Sequence, residues 1–265
     1  MSLKLIFMGT PEFAVPILKS VNNSEHKILS VYTQPPKKSK RGQKINLSPV
    51  HKYSNQLKIE VRHPINLEDE KEIKYFKELC PDVVVVAAYG KILPSKLLNI
   101  GDSKFINVHA SLLPRWRGAA PIQRSIMEMD QQTGISIMKI VPKLDAGPYL
   151  IQEKIKIAKN DNHLSLSNKL SILGSKLLIK SLNLIESGNF NLTDQDEKYV
   201  TYAKKIDKKE TEVDWHSTSK SLIAKINGLN PYPGIWFKHK GSRLKIIEAE
   251  EVNQSGEEGT ILDNN

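Results

Sequence analysis

The chain has 265 residues, 39% hydrophobic and 26% charged, enough apolar material for a sizeable core in one large domain or one and a half. Its longest apolar run, V-V-V-V-A-A at 83–88, falls far short of the roughly 20 residues a bilayer span needs. A single cysteine excludes an internal disulfide, and a formal charge of +10 makes a polyanionic partner plausible without requiring one.

The opening M-S-L-K-L-I-F-M-G-T lacks a basic leader and a small-residue cleavage site, and Pro11 and Glu12 end its apolar stretch, so a cytoplasmic protein is expected. Strands are predicted at 3–8, 27–32, 59–62, 82–87 and 104–109, with helices near 12–22, 49–57, 68–79 and 118–130 between and after them. This alternation, with a fourth strand apolar on both faces, predicts an open, mostly parallel α/β sheet covered by helices on both faces. G-T-P-E-F at 9–13 follows the first strand but carries only Gly9, too few glycines to cradle a dinucleotide phosphate, which disfavours a dehydrogenase.

Between Glu25 and Glu60 the chain holds no acidic residue. Within that stretch Q-P-P-K-K-S-K-R-G-Q-K at 34–44 reads as an exposed basic loop, because its prolines and glycine oppose regular structure. Cys80 reads as a buried thiol at a helix end. The seven histidines are scattered, and no two stand four apart around a glutamate, so no metal is expected.

Two further strands near 134–140 and 150–157 precede a long helix at 163–187 that ends at Ser187 and Gly188. The polar, aperiodic stretch that follows reads as a linker. A helix near 216–227, N-P-Y-P-G at 230–234 and alternating runs at 235–238 and 243–250 predict a small β-rich unit. The expected division is residues 1–188, a linker at 189–206, and a second unit at 207–265.

In open parallel sheets ligands bind beyond the carboxyl ends of the strands, so the end of the fifth strand, F-I-N-V-H, attracts attention first. A spacing of two puts Asn107 and His109 on one face, with Ile106 and Val108 on the other. An amide and an imidazole converging there can both donate to a carbonyl oxygen that becomes an oxyanion, where one donor contributes roughly 10² to 10³ in rate. The pattern points to acyl transfer. S-L-L-P-R-W-R-G at 111–118 reads as a shaped loop beside them, and Asp145 in L-D-A-G sits where a carboxylate can reach back to His109.

Taken together, M-G-T-P-E-F-A-V-P at 8–16, A-Y-G-K-I-L-P at 88–94, N-V-H-A-S-L-L-P-R-W-R-G-A-A-P-I-Q at 107–123, L-D-A-G at 144–147 and N-P-Y-P-G-I-W-F at 230–237 resemble the 10-formyltetrahydrofolate-dependent formyltransferases, in particular those acting on methionyl-tRNA. The resemblance spans nearly the whole chain. It implies a Rossmann-like catalytic domain followed by a small OB-like barrel, incomplete here because family members usually continue past G-T-I-L at 259–262. It also implies that Asn107, His109 and Asp145 form the catalytic trio. The formyl donor, 10-formyltetrahydrofolate, would lie against Ser111, Leu112, Leu113 and Pro114, with Ala88, Tyr89, Gly90 and Ile92 lining a pterin slot.

The acceptor is implied to be the α-amino group of methionine on initiator methionyl-tRNA. Its acceptor stem would be met by Lys37, Lys38, Lys40, Arg41 and Lys44 of the basic insertion, and its contact extended by the lysines of the second unit. A monomer without metal or membrane attachment is implied. Two alternatives remain open at this point: formylation of a small amine such as glycinamide ribonucleotide or an amino-sugar nucleotide, and a catalytically silent RNA-binding protein.

Overall fold

The computed structural model describes residues 2–39, 44–102, 104–254 and 256–262. Its N-terminal elements are β1 (Lys4–Gly9), α1 (Ala14–Asn22), β2 (Lys27–Tyr32), β3 (Lys37–Ser39), β4 (Lys44–Asn46), α2 (Pro49–Gln56), β5 (Val61–Arg62), α3 (Glu70–Leu79), β6 (Val83–Ala87), α4 (Ser95–Leu98) and β7 (Lys104–His109). They are followed by β8 (Arg117–Gly118), α5 (Pro121–Met127), β9 (Gln132–Lys139), β10 (Tyr149–Lys156) and α6 (His163–Ser187).

The main sheet has seven strands in the order β10-β9-β7-β6-β1-β2-β5. The pairings from β5 to β7 are parallel, while β9 runs antiparallel to β7 and β10 antiparallel to β9. It is a mostly parallel Rossmann-like sheet, as its alternating sequence predicts. Alternate residues of the central strands feed two cores. Leu5, Phe7, Val83, Val85, Ile106 and Val108 pack with α1, α5 and α6 on one side, and Ile6, Met8, Val84, Val86 and Phe105 pack with α3 and α4 on the other. Each such side chain contributes roughly 1.5–3 kcal/mol on burial. Helix α6 is capped at both ends, by a reciprocal Asn162–Ser165 capping box and by Gly188 in the left-handed region.

Three local readings change. The basic stretch is not wholly irregular, because β3 and β4 pair antiparallel across it. A ladder of three residue pairs supplies the backbone bonds that the local sequence denies to a helix. Lys40, Arg41 and residues 42–43 lie outside the described residues. Cys80 is exposed, since it caps α3 with φ of 44° and its thiol turns to the Lys77 carbonyl. The helix expected from 118 begins only at Pro121, after Arg117 and Gly118 have been drawn into β8.

The remaining elements are β11 (Tyr202–Ala203), α7 (Ser219–Leu229), β12 (Ile235–His239) and β13 (Ser242–Ile246), the last two forming an antiparallel hairpin in a small β-rich region. Helix α7 packs on α5, so closely that a methyl group at Gly228 would stand 2.7 Å from Met127 Cγ. Arg124 of α5 ties the same region down through both carboxylate oxygens of Glu210, at 2.5 and 2.9 Å.

Candidate active site

The chain order around the sheet reverses between β1 and β6, and their carboxyl ends, with that of β7, open the crevice where ligands bind in such folds. Thr10, just past β1, bonds the Tyr89 carbonyl at 2.8 Å, and Gln34, past β2, bonds the Tyr89 and Gly90 carbonyls at 3.1 and 3.0 Å. Three strand ends are thereby fastened together. Ala88 and Gly90 hold left-handed backbone, at φ of 48° and 78°, and between them the Tyr89 ring turns inward onto the core. Burial pushes its phenol up to about 12. Of the four residues expected to line the slot, Tyr89 can therefore offer only backbone, whereas Ile92 stands 88% exposed.

Asn107 and His109 share the face of β7 that also carries Phe105, as the period of two requires. The His109 ring is buried, with Nε2 2.9 Å from the Trp116 carbonyl. A carbonyl only accepts, so Nε2 carries the hydrogen and Nδ1 is the nitrogen left for chemistry. Nδ1 stands 3.7 Å from Asp145 Oδ2, within ion-pair range but beyond a hydrogen bond. That carboxylate oxygen instead accepts 2.8 Å from the Gly118 amide. Asn107, His109 and Asp145 are thus brought together by β7 and the loop after β9, and among the described residues no hydrogen-bond partner meets the Asn107 side chain.

The loop after β7 is built on buried serines. Ser111 Oγ donates to the Arg115 carbonyl at 2.6 Å, and Ser136 of β9 donates to the Ser111 carbonyl at 2.6 Å while accepting from the Leu113 amide at 3.1 Å. Gln152 of β10 closes the set by donating to the Leu113 carbonyl at 2.8 Å. With Ser111 and Leu113 buried, the groups this loop turns outward are the half-buried Leu112 and Pro114. Arg115 and the Trp116 indole both grip Asp130, at 2.6 and 2.7 Å.

Several residues around the trio carry no local sequence signal. Asp145 has φ of 45°, a conformation that costs an L-residue roughly 1–2 kcal/mol and that Asp tolerates better than most. Its carbonyl and that of Gly147 both accept from Gln195 Nε2, at 2.8 and 2.7 Å. A side chain at Gly147 would put its Cβ 1.9 Å from the Lys139 carbonyl oxygen. Gln195 Oε1 accepts from Arg117 Nε at 2.9 Å, and Arg117 Nη2 donates to Glu197 at 2.8 Å. The Arg117 guanidinium, then Lys143, hold the Glu197 carboxyl below the usual carboxylate range. Thr201 accepts from the Trp116 amide at 2.9 Å, and β11 pairs in parallel with β8. Residues 195–203 therefore lie against the loop that holds His109 and Asp145.

Of the expected RNA contacts, Lys37, Lys38 and Lys44 stand on the β3–β4 ladder, and Lys204, Lys205, Lys208, Lys209, Lys238, Lys240, Arg243 and Lys245 are exposed. Arg243 lies over the Trp236 ring at 3.5 Å. No group of three metal-ligating side chains is found among the described residues, and none of their helices is long and apolar enough to cross a membrane.

Comparison with known proteins identifies the family and the fold. The formyl transferase family model matches residues 3–182, and that of the formyl transferase C-terminal domain matches residues 205–265. A methionyl-tRNA formyltransferase of Pelagibacter ubique is 51% identical over 265 residues, covering 100% of this chain and 86% of the relative. One from Parvibaculum lavamentivorans is 43% identical over 98% of this chain and 86% of its own. Among solved structures, HypX from Aquifex aeolicus in complex with tetrahydrofolic acid superposes with a TM-score of 0.73 at 15% identity, over 99% of this chain and 40% of HypX. A sugar N-formyltransferase from Shewanella gives a TM-score of 0.71 at 19% identity, over 95% of this chain and 99% of its own. These structural likenesses concern the fold. With both family models matched along the chain and relatives of 43–51% identity covering it almost end to end, the chain belongs to the formyltransferase family.

Proposed function

We propose that this chain transfers the formyl group of 10-formyltetrahydrofolate to the α-amino group of methionine on initiator methionyl-tRNA. The observation that carries the reading is the juxtaposition at the carboxyl end of β7, with Asn107 and His109 on one face and Asp145 3.7 Å from His109 Nδ1. The choice of acceptor draws support from the relatives named methionyl-tRNA formyltransferase. Residues 1–188 carry the chemistry, 189–206 connect, and 207–265 extend the RNA face. The protein works as a monomer in the cytoplasm.

The folate donor supplies a formyl carbon already activated on N10. The left-handed backbone at Ala88 and Gly90 and the outward apolar Ile92, Leu112 and Pro114 support a site for an aromatic, hydrogen-bonding pterin. As the amine nitrogen bonds to the formyl carbon, negative charge gathers on the carbonyl oxygen. The Asn107 amide donates to that oxygen. His109 Nδ1 takes the proton the amine must lose, and Asp145 neutralises the imidazolium from across the gap. As the carbon–N10 bond breaks, its electron pair stays on N10, which takes up a proton from the same imidazolium. The Trp116 carbonyl keeps the ring in one tautomer throughout.

The phosphates of the acceptor stem fall to Lys37, Lys38, Lys40, Arg41 and Lys44, with the guanidinium of Arg41 suited by its chemistry to an unpaired end. The test is transfer of radiolabelled formyl to charged initiator tRNA, with charged elongator methionine tRNA and glycinamide ribonucleotide as parallel acceptors. Initiator-selective labelling is expected, and labelling of the small amine alone would overturn the acceptor. In the same assay Lys38→Ala should weaken tRNA use and lower the salt slope of binding by about 1.

A further inference from the structure

Among the described residues, the Arg117 guanidinium is fully buried, and one of its nitrogens, Nη1, has no partner there. Its other contacts run to a stretch of chain roughly 80 residues away that contains no helix or strand until β11 apart from a single 3-10 turn. Gln195 is the centre of that contact. The amide has one satisfactory orientation: Oε1 meets the Arg117 donor at 2.9 Å, while Nε2 meets the Asp145 and Gly147 carbonyls at 2.8 and 2.7 Å. Turned over, it would set donor against donor and acceptor against two acceptors. The two carbonyls it ties together lead out of the left-handed Asp145, whose carboxylate is aimed at the Gly118 amide and His109. The residue beside Arg117 is Gly118 itself, and a side chain there would meet the Ala203 carbonyl at 2.8 Å, so β11 can close on this loop only over a glycine.

We propose that Gln195 is a positioning residue for Asp145, oriented by the buried Arg117, so that the polar stretch after α6 holds the catalytic carboxylate at its working angle. This rests on the formyl-transfer reading for its kinetic consequence, and on geometry alone for the position of Asp145. The Asp145 carboxylate has one anchor of its own, the Gly118 amide, and within residues 141–148 the left-handed turn has one long backbone bond, from the Ala146 amide to the Lys143 carbonyl at 3.3 Å. Gln195 reinforces it by bonding the Asp145 and Gly147 carbonyls on its exit side, and displacement of a reacting group by about 1 Å can cost 10²-fold in rate.

The experiment compares wild type with Gln195→Leu and Gln195→Glu. The glutamate keeps an acceptor for Arg117, removes the donor to the two carbonyls and sets a carboxylate oxygen against them. If the leucine variant fails to fold, the glutamate variant carries the same test. The expected result is a fall in kcat of about 10²-fold, with KM for folate and for tRNA within a few fold of wild type. Adding either change to Asp145→Asn should cost nothing further, because both act through one group. Fully additive losses, or a raised KM at unchanged kcat, would overturn the proposal. A crystal structure of the folded variant reads the geometry independently of any activity. Asp145 should leave its left-handed turn or lose the Gly118 bond, and an unchanged Asp145 would refute the positioning role. If wild-type protein formylates no acceptor, the proposed reaction falls while this structural arm still decides the inference.

Discussion

Arg62 and Arg117 are both drawn into the protein, but they are satisfied in different ways. Arg62, on the edge strand β5, forks onto Glu72 with two bonds of 2.7 Å, rests over the Tyr75 ring at 4.0 Å, and shares Glu72 with Tyr32. Its partner is ten residues away, and the cluster pins α3 to the sheet. Arg117 is buried more deeply, finds its partners 78 and 80 residues away, and is left with an unpartnered nitrogen. A complete, local pair serves stability. The incomplete, distant one joins a stretch with almost no regular structure to the carboxylate beside His109, at some cost in burial of polar groups.

That contrast breaks if the two sites respond alike to mutation. The largest effect is expected at Arg117→Met, which should lower kcat about 10²-fold. By stranding the Gln195 acceptor it should also lower unfolding free energy by roughly 1–3 kcal/mol in urea melts. Next comes Glu72→Gln, expected to cost roughly 1.5–3 kcal/mol, the range for hydrogen bonds to charged groups, with kcat unaltered. A matching fall in kcat there would erase the distinction.

The same carboxylate sharpens it through pH. Burial pushes Glu72 up, but hydrogen bonds from Arg62 and Tyr32 outweigh it and its net shift is downward. A folded value below the unfolded one gives stability that is present above the unfolded value and lost as pH falls through the folded one. Urea midpoints should therefore drop on acidification below about pH 4.5 in wild type, and less steeply in Glu72→Gln. The smallest effect is assigned to Lys143→Ala, which removes an exposed 3.1 Å pair with Glu197 and should leave the urea midpoint nearly unchanged.

Much of the active site was legible before folding. The period of two in F-I-N-V-H decided that Asn107 and His109 would face one way, and the apolar V-V-V-V-A-A could only be a central strand. Asp145 was legible as a turn residue near His109, although the Gly118 amide holds its carboxylate more closely than the imidazole does. The β3–β4 ladder and α4 were not legible, since short elements leave no periodic trace and local composition argued for loop. Nor were Gln195, Glu197 and Thr201, which sit in a polar stretch whose amino acids look like those of any connection.

The sequence by itself determined the parallel sheet, its two buried faces and the polar pair at the end of β7, because side-chain periodicity is a local property of backbone geometry. Tertiary structure alone decided which nitrogen of His109 is free, how Asp145 is held, and that residues 195–203 lie against the loop carrying them. Those outcomes depend on hydrogen bonds between groups up to 85 residues apart. Whether such a bond forms is set by the packing of everything between its ends, which no local pattern records.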